Sequence, residues 1–189
     1  MKHGITREEA FSLVNEKVKN RNLVRHMLAT EAIMKALARQ LGEDEIQWGL
    51  AGLLHDADIE LAESKADPSR HGVIISRELA ARGIDPDICG AIRAHNEHSG
   101  EPRDTKIKQA IYATDPLTGL VVASALVLPD KKLKSLSVDS LRRRFKEKSF
   151  AAGARREAIG SISAVGLSLD ELFESGLAAM QSISDDLGL

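Results

Sequence analysis

The sequence contains little cysteine, few aromatic residues and no long apolar run. A single cysteine, Cys89, excludes an intramolecular disulfide framework and a cysteine-rich metal site, and it fits a reducing compartment. Aromatic residues make up 3% of the chain, which argues against a nucleic-acid partner that stacks on aromatic rings. The longest apolar stretch, Leu120 to Leu128, is far shorter than the roughly 20 residues of a membrane-spanning helix, and no apolar secretory segment follows Met1. We therefore expect a cytoplasmic protein without a membrane partner.

The periodicity of the apolar residues predicts an all-α fold. Hydrophobic residues make up 43% of the 189 positions, enough for one core, and they recur at helical spacing without the alternation of strands. We predict a single helical domain over residues 1–189. Its helices are expected over about 6–18, 22–41, 43–56, from 71, 86–96, 105–115, 117–127, 138–146, 152–164 and 169–187. Pro116 fits the first turn of a continuing or a new helix.

Charge is unevenly distributed along the C-terminal third. Residues 131–156 contain ten Lys or Arg and two acidic residues, whereas residues 157–189 contain six acidic residues and no Lys or Arg. In one interpretation, the basic segment folds against the acidic one and is mostly solvated. In the other, part of the basic segment reaches an anionic ligand.

Several polar residues fall on faces that the apolar pattern turns inward. His26 lies at the edge of an apolar helical arc, and His95 follows Ile88, Ala91 and Ile92 at helical spacing. Asp115 also follows an apolar stripe, where a carboxylate is costly unless it is paired or binds a metal. One inward histidine alone is more often a hydrogen-bonded core residue. The adjacent pair His55-Asp56 favours a metal site, because imidazole and carboxylate together suit divalent transition metals.

These residues resemble a known family signature. His26, then His55-Asp56 within AGLLHD, then Asp115 within YATD, is similar to the H…HD…D signature of the HD-domain superfamily of metal-dependent phosphohydrolases. The match covers about residues 21–120, the predicted core of an HD-type bundle, and about 121–189 form a C-terminal helical extension. The resemblance implies that His26, His55, Asp56 and Asp115 bind a divalent metal.

The resemblance also bears on how many metal ions the site would bind. Branches of the superfamily with two metals have further histidines where this sequence has His71 and His95, and Asp56 would then bridge two ions. Asn96 replaces the second histidine of a pair in that segment, which leaves His98 or water to complete the second site. We predict a dinuclear site, with a mononuclear site and an empty site as alternatives.

The implied chemistry is phosphate ester or anhydride hydrolysis by a metal-bound hydroxide, since a metal can lower the pKa of bound water from about 15.7 to near 7. Asp56 would take part through the metals, and Asp58 is a candidate proton relay or a solvated carboxylate. The candidate substrate-binding cations are Arg25, Arg70, Arg142 and Lys146.

The leading hypothesis is a hydrolase of a small phosphorylated molecule such as a nucleotide or dinucleotide. The cofactor would be one or two ions of Mn, Fe, Ni, Co or Zn, and the sequence leaves the metal, the substrate and the oligomeric state open. The alternatives are a diiron HD-type oxygenase, a non-catalytic module that binds metal or nucleotide and, last, nucleic-acid binding through residues 131–156.

Overall fold

A computed structural model describes residues 2–189, apart from the side chain of Ala62. Every regular element in this part of the chain is helical, so the prediction of an all-α fold is confirmed. The α-helices are α1 (Arg7–Lys17), α2 (Arg21–Leu41), α3 (Glu45–Leu54), α4 (Ala62–Ala66), α5 (Val73–Ala81), α6 (Pro86–His95), α7 (Lys106–Leu126), α8 (Val138–Lys146), α9 (Arg156–Gly160), α10 (Leu169–Ser182) and α11 (Ser184–Leu187). Short 3-10 helices span Pro68–Arg70, Leu133–Ser135 and Ser161–Val165. Across the described residues, no helix is both long and apolar enough to cross a membrane.

Local capping signals set several helix ends. At the start of α1, the Thr6 side chain accepts from the Glu9 amide and the Glu9 carboxylate accepts from the Thr6 amide, which together form a capping box. Gly42, at a φ of 70°, ends α2 in the left-handed conformation that glycine adopts without strain. α8 has the predicted bounds. These signals act within about one helical turn, so the sequence alone was sufficient to place them.

The structure corrects two expectations about helix bounds. The predicted helix over 152–164 is wrong in its first part, because residues 147–155 form turns and α9 begins only at Arg156. The predicted helix over 169–187 is broken at Ile183. The N-terminal segment buries His3, whose Nδ1 lies 2.8 Å from Asp85 Oδ2. Asp85 is the N-cap of α6, so the side chain at the start of that helix also holds the N-terminal segment in place.

Helix α2 lies at the centre of the bundle and contacts α3, α7 and α10. Its approach to α3 is close because α3 contains Gly52, at which an added Cβ would lie 2.9 Å from the backbone of Thr30. A larger residue would push α3 away from α2 and separate the histidines at the two helices. One apolar core extends from Ile5 to Leu187, so residues of the predicted C-terminal extension share it with those of the predicted HD core.

The basic and acidic segments pair in part. Arg142 on α8 lies 2.6 Å from Asp170 and 3.5 Å from Glu174, both on α10. The side chain of Lys146 is exposed. Charge pairing within the C-terminal third therefore occupies Arg142, as the first interpretation of the charge pattern predicts.

The turns between α8 and α9 are organised by one side chain. The guanidinium of Arg156 donates to six backbone carbonyls of this region, those of Arg144, Phe145, Glu147, Phe150, Ala151 and Ala154. A regular helix would use these carbonyls internally. The side chain therefore stabilises turns where local periodicity predicts a helix.

We expect Arg156→Ala to lower the free energy of unfolding by about 2 to 3 kcal/mol, since charged donors to several carbonyls are lost together. Urea unfolding would measure the change. The matched control is Arg143→Ala, because Arg143 is exposed and its one side-chain hydrogen bond goes to Ser140. Equal unfolding midpoints for the two variants would contradict the organising role of Arg156.

Candidate metal centre

All six predicted metal ligands meet in one place, and five helical elements and their ends supply them. His26 comes from the first third of α2, His55 and Asp56 follow α3, and His71 follows the 3-10 helix Pro68–Arg70. His95 is the last residue of α6 and Asp115 lies in α7. We call this group the His/Asp cluster: His26, His55, Asp56, His71, His95 and Asp115.

The imidazoles of the cluster all direct Nε2 inward, because Nδ1 has a partner in each ring. His55 Nδ1 donates to the Gly52 carbonyl at 2.8 Å, and His95 Nδ1 donates to the Ile92 carbonyl. His26 Nδ1 donates to Thr118 Oγ1 at 2.8 Å, because the Thr118 hydroxyl itself donates to the Asp115 carbonyl. Such partners fix the ring and the tautomer, and they leave the Nε2 lone pair available to a metal.

The inward atoms form two overlapping groups that share His55. His26, His55 and Asp115 can place one ligand atom each within 4.8 Å of one another, and so can His55, Asp56 and His95. His71 extends the second group, with Nε2 2.9 Å from Asp56 Oδ1 and 3.0 Å from His95 Nε2. Imidazole nitrogens and carboxylate oxygens are ligands for divalent transition metals, so this donor set can hold such an ion.

The electrostatics of the cluster balance imidazolium against carboxylate. Burial lowers the pKa of His26, but hydrogen bonds and charge attraction from Asp115 and Asp56 outweigh it and raise the pKa to about 10. The same opposition, with Asp56 and Asp58 as the partners, raises the pKa of His71 to about 10. Burial keeps the pKa of His95 below its usual value. The neighbouring histidines hold the pKa of Asp56 and of Asp115 well below the usual range, although burial acts in the opposite direction.

Asp58 holds His71 of the cluster through a hydrogen bond to its Nδ1. Its carboxylate is 1% exposed and accepts from His71 Nδ1 at 2.8 Å and from the Gly72 and Ile75 amides at 3.0 Å each. Burial raises the pKa of Asp58, but these donors outweigh it, so the pKa is lowered and the group stays charged. Asp58 is therefore not the solvated carboxylate of one alternative. The contacts favour a positioning role over the predicted proton relay.

Asp58→Asn is expected to weaken metal binding by about 10- to 100-fold, as is usual for a lost partner of a ligating histidine. In asparagine, an NH2 group can replace Oδ2, the oxygen that accepts from the Ile75 amide. The side chain then cannot keep all its contacts, so it no longer fixes the orientation of the His71 ring. Isothermal titration calorimetry with Mn²⁺ would measure the change, with the exposed Asp185→Asn as the control. Unchanged Mn²⁺ affinity would contradict the positioning role.

Two residues near the cluster have roles that sequence reasoning did not assign. Asn96, noted only as a departure from a histidine pair, donates its Nδ2 to the carbonyls of Pro68 and His71 and so holds the segment that carries His71. Gly72 has a φ of 76°, and an added Cβ would lie 2.8 Å from the Ile92 carbonyl. The side chain of His98 is 61% exposed and lies outside the cluster.

The cluster opens to solvent through a cavity of about 250 Å³, which we call the mouth. Its described lining residues are Asp56, Ile59, His71, His95, Asn96, Glu97, Asp115 and Arg155. Arg155 belongs to the basic segment and was not among the predicted substrate-binding residues. In one of the two interpretations of the charge pattern, part of this segment reaches an anionic ligand, but the sequence did not show which cation would do so.

None of the four predicted substrate-binding cations is among the described residues that line the mouth. Arg142 pairs with acidic residues of α10, Lys146 is exposed on α8, and Arg70 is exposed in the 3-10 helix before His71. Arg25 lines a second cavity of about 490 Å³. That cavity also contacts His26 and Thr118, and its other walls are mostly apolar, including Val122 and Leu126. Arg25 therefore shares a cavity with the cluster residue His26.

Comparison with known proteins agrees with this geometry. One curated relative is the Ribonuclease Y of Lawsonia intracellularis (strain PHE/MN1-00), 29% identical over 160 residues. The aligned region is 80% of this chain but only 29% of the length of that protein. A family model described as HD domain matches residues 23–124, which contain all six cluster residues and make up more than half of the 189 positions. The chain therefore belongs to the HD-domain family.

Proposed function

We propose that this protein is a metal-dependent phosphohydrolase that cleaves a phosphate ester or anhydride in a small molecule, such as a nucleotide or dinucleotide. The observation that carries the proposal is the convergence of four imidazole Nε2 atoms and two carboxylates at the base of an open mouth. Membership of the HD-domain family, with its metal-dependent hydrolases, supports the same reaction class.

The cluster residues would divide between two metal positions. His26, His55 and Asp115 would hold one ion, and Asp56, His71 and His95 would hold the other. A divalent metal bound there supplies a Lewis acid for the phosphoryl oxygens and lowers the pKa of water. This set of nitrogen and oxygen donors suits Mn, Fe, Ni, Co and Zn. Asp56 touches both groups, with its Oδ2 3.4 Å from His26 Nε2 and its Oδ1 2.9 Å from His71 Nε2, so it would bridge a dinuclear site.

A second candidate substrate is a phosphodiester of RNA. The observation that favours it is the similarity to the protein named Ribonuclease Y. The small polar mouth favours a compact phosphorylated group. We therefore place the small-molecule substrate first.

The test is phosphate release and product analysis over a panel of nucleotides, dinucleoside polyphosphates, generic phosphoesters and a short RNA. Each is assayed with Mn²⁺, Fe²⁺, Ni²⁺, Co²⁺, Zn²⁺ or Mg²⁺. We expect metal-dependent cleavage of at least one small phosphorylated compound. Cleavage of RNA alone would favour the second candidate. Bound metal without any hydrolysis would contradict the proposal, and oxygen consumption with bound iron would then indicate an oxygenase.

A further inference from the structure

Arg155 extends from the turn before α9 to the rim of the mouth. Its Nη1 lies 2.8 Å from Glu97 Oε2, and its Nη2 lies 3.8 Å from Asp115 Oδ2. Its guanidinium also lies over the Tyr112 ring, 5.0 Å from the centroid. Helix α7 thus supplies both the ring that supports Arg155 and the cluster carboxylate beside it.

The two oxygens of Asp115 connect Arg155 to the cluster. Oδ1 lies 3.1 Å from His26 Nε2, inside the cluster, whereas Oδ2 faces Arg155. The cation is therefore separated from the candidate metal position by a single carboxylate. An anion bound at that position and open to the mouth would come within reach of the guanidinium.

The ion pair with Glu97 can be exchanged for another anion. The side chains of Arg155 and Glu97 are 31% and 44% exposed, and an ion pair this open to water contributes little net stability. A guanidinium presents a planar set of donors that matches phosphate oxygens. The contact with Glu97 therefore holds Arg155 at the rim and leaves its guanidinium able to bind another anion.

Nearby arginines are engaged elsewhere. Arg103 stacks on the Tyr112 ring at 3.6 Å and donates its Nε to the Ala94 carbonyl. Arg93 donates to Glu101 and to Ser76. Among the described residues that line the mouth, Arg155 is the one lysine or arginine, and the lining also contains three carboxylates.

We propose that Arg155 is the substrate-binding residue that contacts the phosphoryl group at the mouth of the His/Asp cluster, with Tyr112 and Glu97 holding it in position. This inference rests on the proposed function, because it assigns the residue that recognises the anion to be cleaved. It places the substrate contact of the basic segment at Arg155 instead of at Arg142 or Lys146.

The test titrates inorganic phosphate into the Mn²⁺-loaded full chain by isothermal titration calorimetry. The variants are Arg155→Gln, Arg155→Lys and the charge-matched control Arg143→Gln on the exposed side of α8. Metal content is measured on each sample. We expect Arg155→Gln to weaken phosphate binding by about 10-fold or more, the effect of losing a charged hydrogen bond. Arg155→Lys should recover part of the affinity and Arg143→Gln should leave it unchanged.

The outcomes separate this inference from the proposed function. Wild-type phosphate affinity in Arg155→Gln with full metal content would overturn it, and so would absence of phosphate binding to the wild type. Loss of metal together with phosphate would also overturn it, because Arg155 would then only position Asp115. Arg155-dependent phosphate binding without hydrolysis of any panel compound would uphold the inference while the hydrolase proposal fails.

Discussion

Asp56→Asn is expected to reduce metal-dependent phosphate release by about 10³-fold or more, because a metal centre supplies several kcal/mol of transition-state stabilisation and each 1.36 kcal/mol is tenfold in rate. The Asp56 carboxylate lies within 3.5 Å of Nε2 in His26, His55, His71 and His95, so every histidine of the cluster faces it. Asparagine preserves the volume but removes the charge that attracts the metal. The measurement is turnover together with bound metal per chain.

The variant also has a consequence in the metal-free protein. Asp56 is among the groups that raise the pKa of His26 and of His71, so its loss should lower both pKa values.

The matched control for Asp56→Asn is Asp185→Asn, which removes a carboxylate whose side chain is 98% exposed. Normal metal content and normal turnover in Asp56→Asn would contradict the assignment of the cluster as the catalytic metal centre.

Metal uptake should release protons and weaken steeply in acid. His26 and His71 have pKa values of about 10 in the metal-free protein, so both carry a proton at pH 7. A metal needs the Nε2 lone pair, and each histidine that becomes a ligand must lose its proton. Between pH 8 and pH 6 the apparent affinity should fall by about 100-fold for each proton displaced. Release of two protons per chain would support two occupied sites, and release of one would support a single site.

The same groups give opposite pH dependences of stability with and without metal. A histidine whose pKa is raised by folding stabilises the folded state fully below its unfolded pKa of 6.5, and this contribution is lost as the pH rises to about 10. The metal-free protein should therefore lose stability from about pH 6.5 to about pH 10. The lowered pKa values of Asp56 and Asp115 make the same ion pairs weaken as the pH falls below about 4. With metal present, stability should rise with pH above neutrality, because metal binding improves.

Two measurements check this prediction. Protons released on adding Mn²⁺ are counted in weakly buffered solution, and urea unfolding is followed from pH 6 to pH 10 with chelator or with Mn²⁺. His26→Gln should release one proton fewer than the wild type, and His98→Gln should match it because His98 is exposed and outside the cluster. Metal binding without proton release would contradict the pairing of imidazolium and carboxylate.

The sequence alone was not sufficient to predict the role of Asp58. Its position just after His55-Asp56 drew attention to it, but the sequence did not show whether it faced solvent or the interior. Its three donors come from His71 and from the amides of Gly72 and Ile75, at least 13 residues away along the chain. The roles of Asn96 and His3 could not be predicted from the sequence for the same reason, because their hydrogen-bond partners lie on other elements.

The sequence by itself determined the helical class, most helix ends and the six cluster residues. Apolar periodicity and capping act over a few residues, so they can be read without knowledge of the fold. The order of histidines and aspartates, which resembles the HD-domain signature, was sufficient to predict the six residues that meet in the cluster. The placement of Gly52 against Thr30 then explains how α3 reaches α2.

Only the tertiary structure decided which cation lies at the mouth. Arg142 and Arg155 belong to the same basic segment, yet one pairs with α10 and the other with Glu97 and Asp115. The difference arises because Arg156 organises the turns before α9 and Tyr112 of α7 supports the guanidinium of Arg155. The contacts of Arg155 with Tyr112 and Asp115 join residues about 40 positions apart, and no local pattern encodes such a distance.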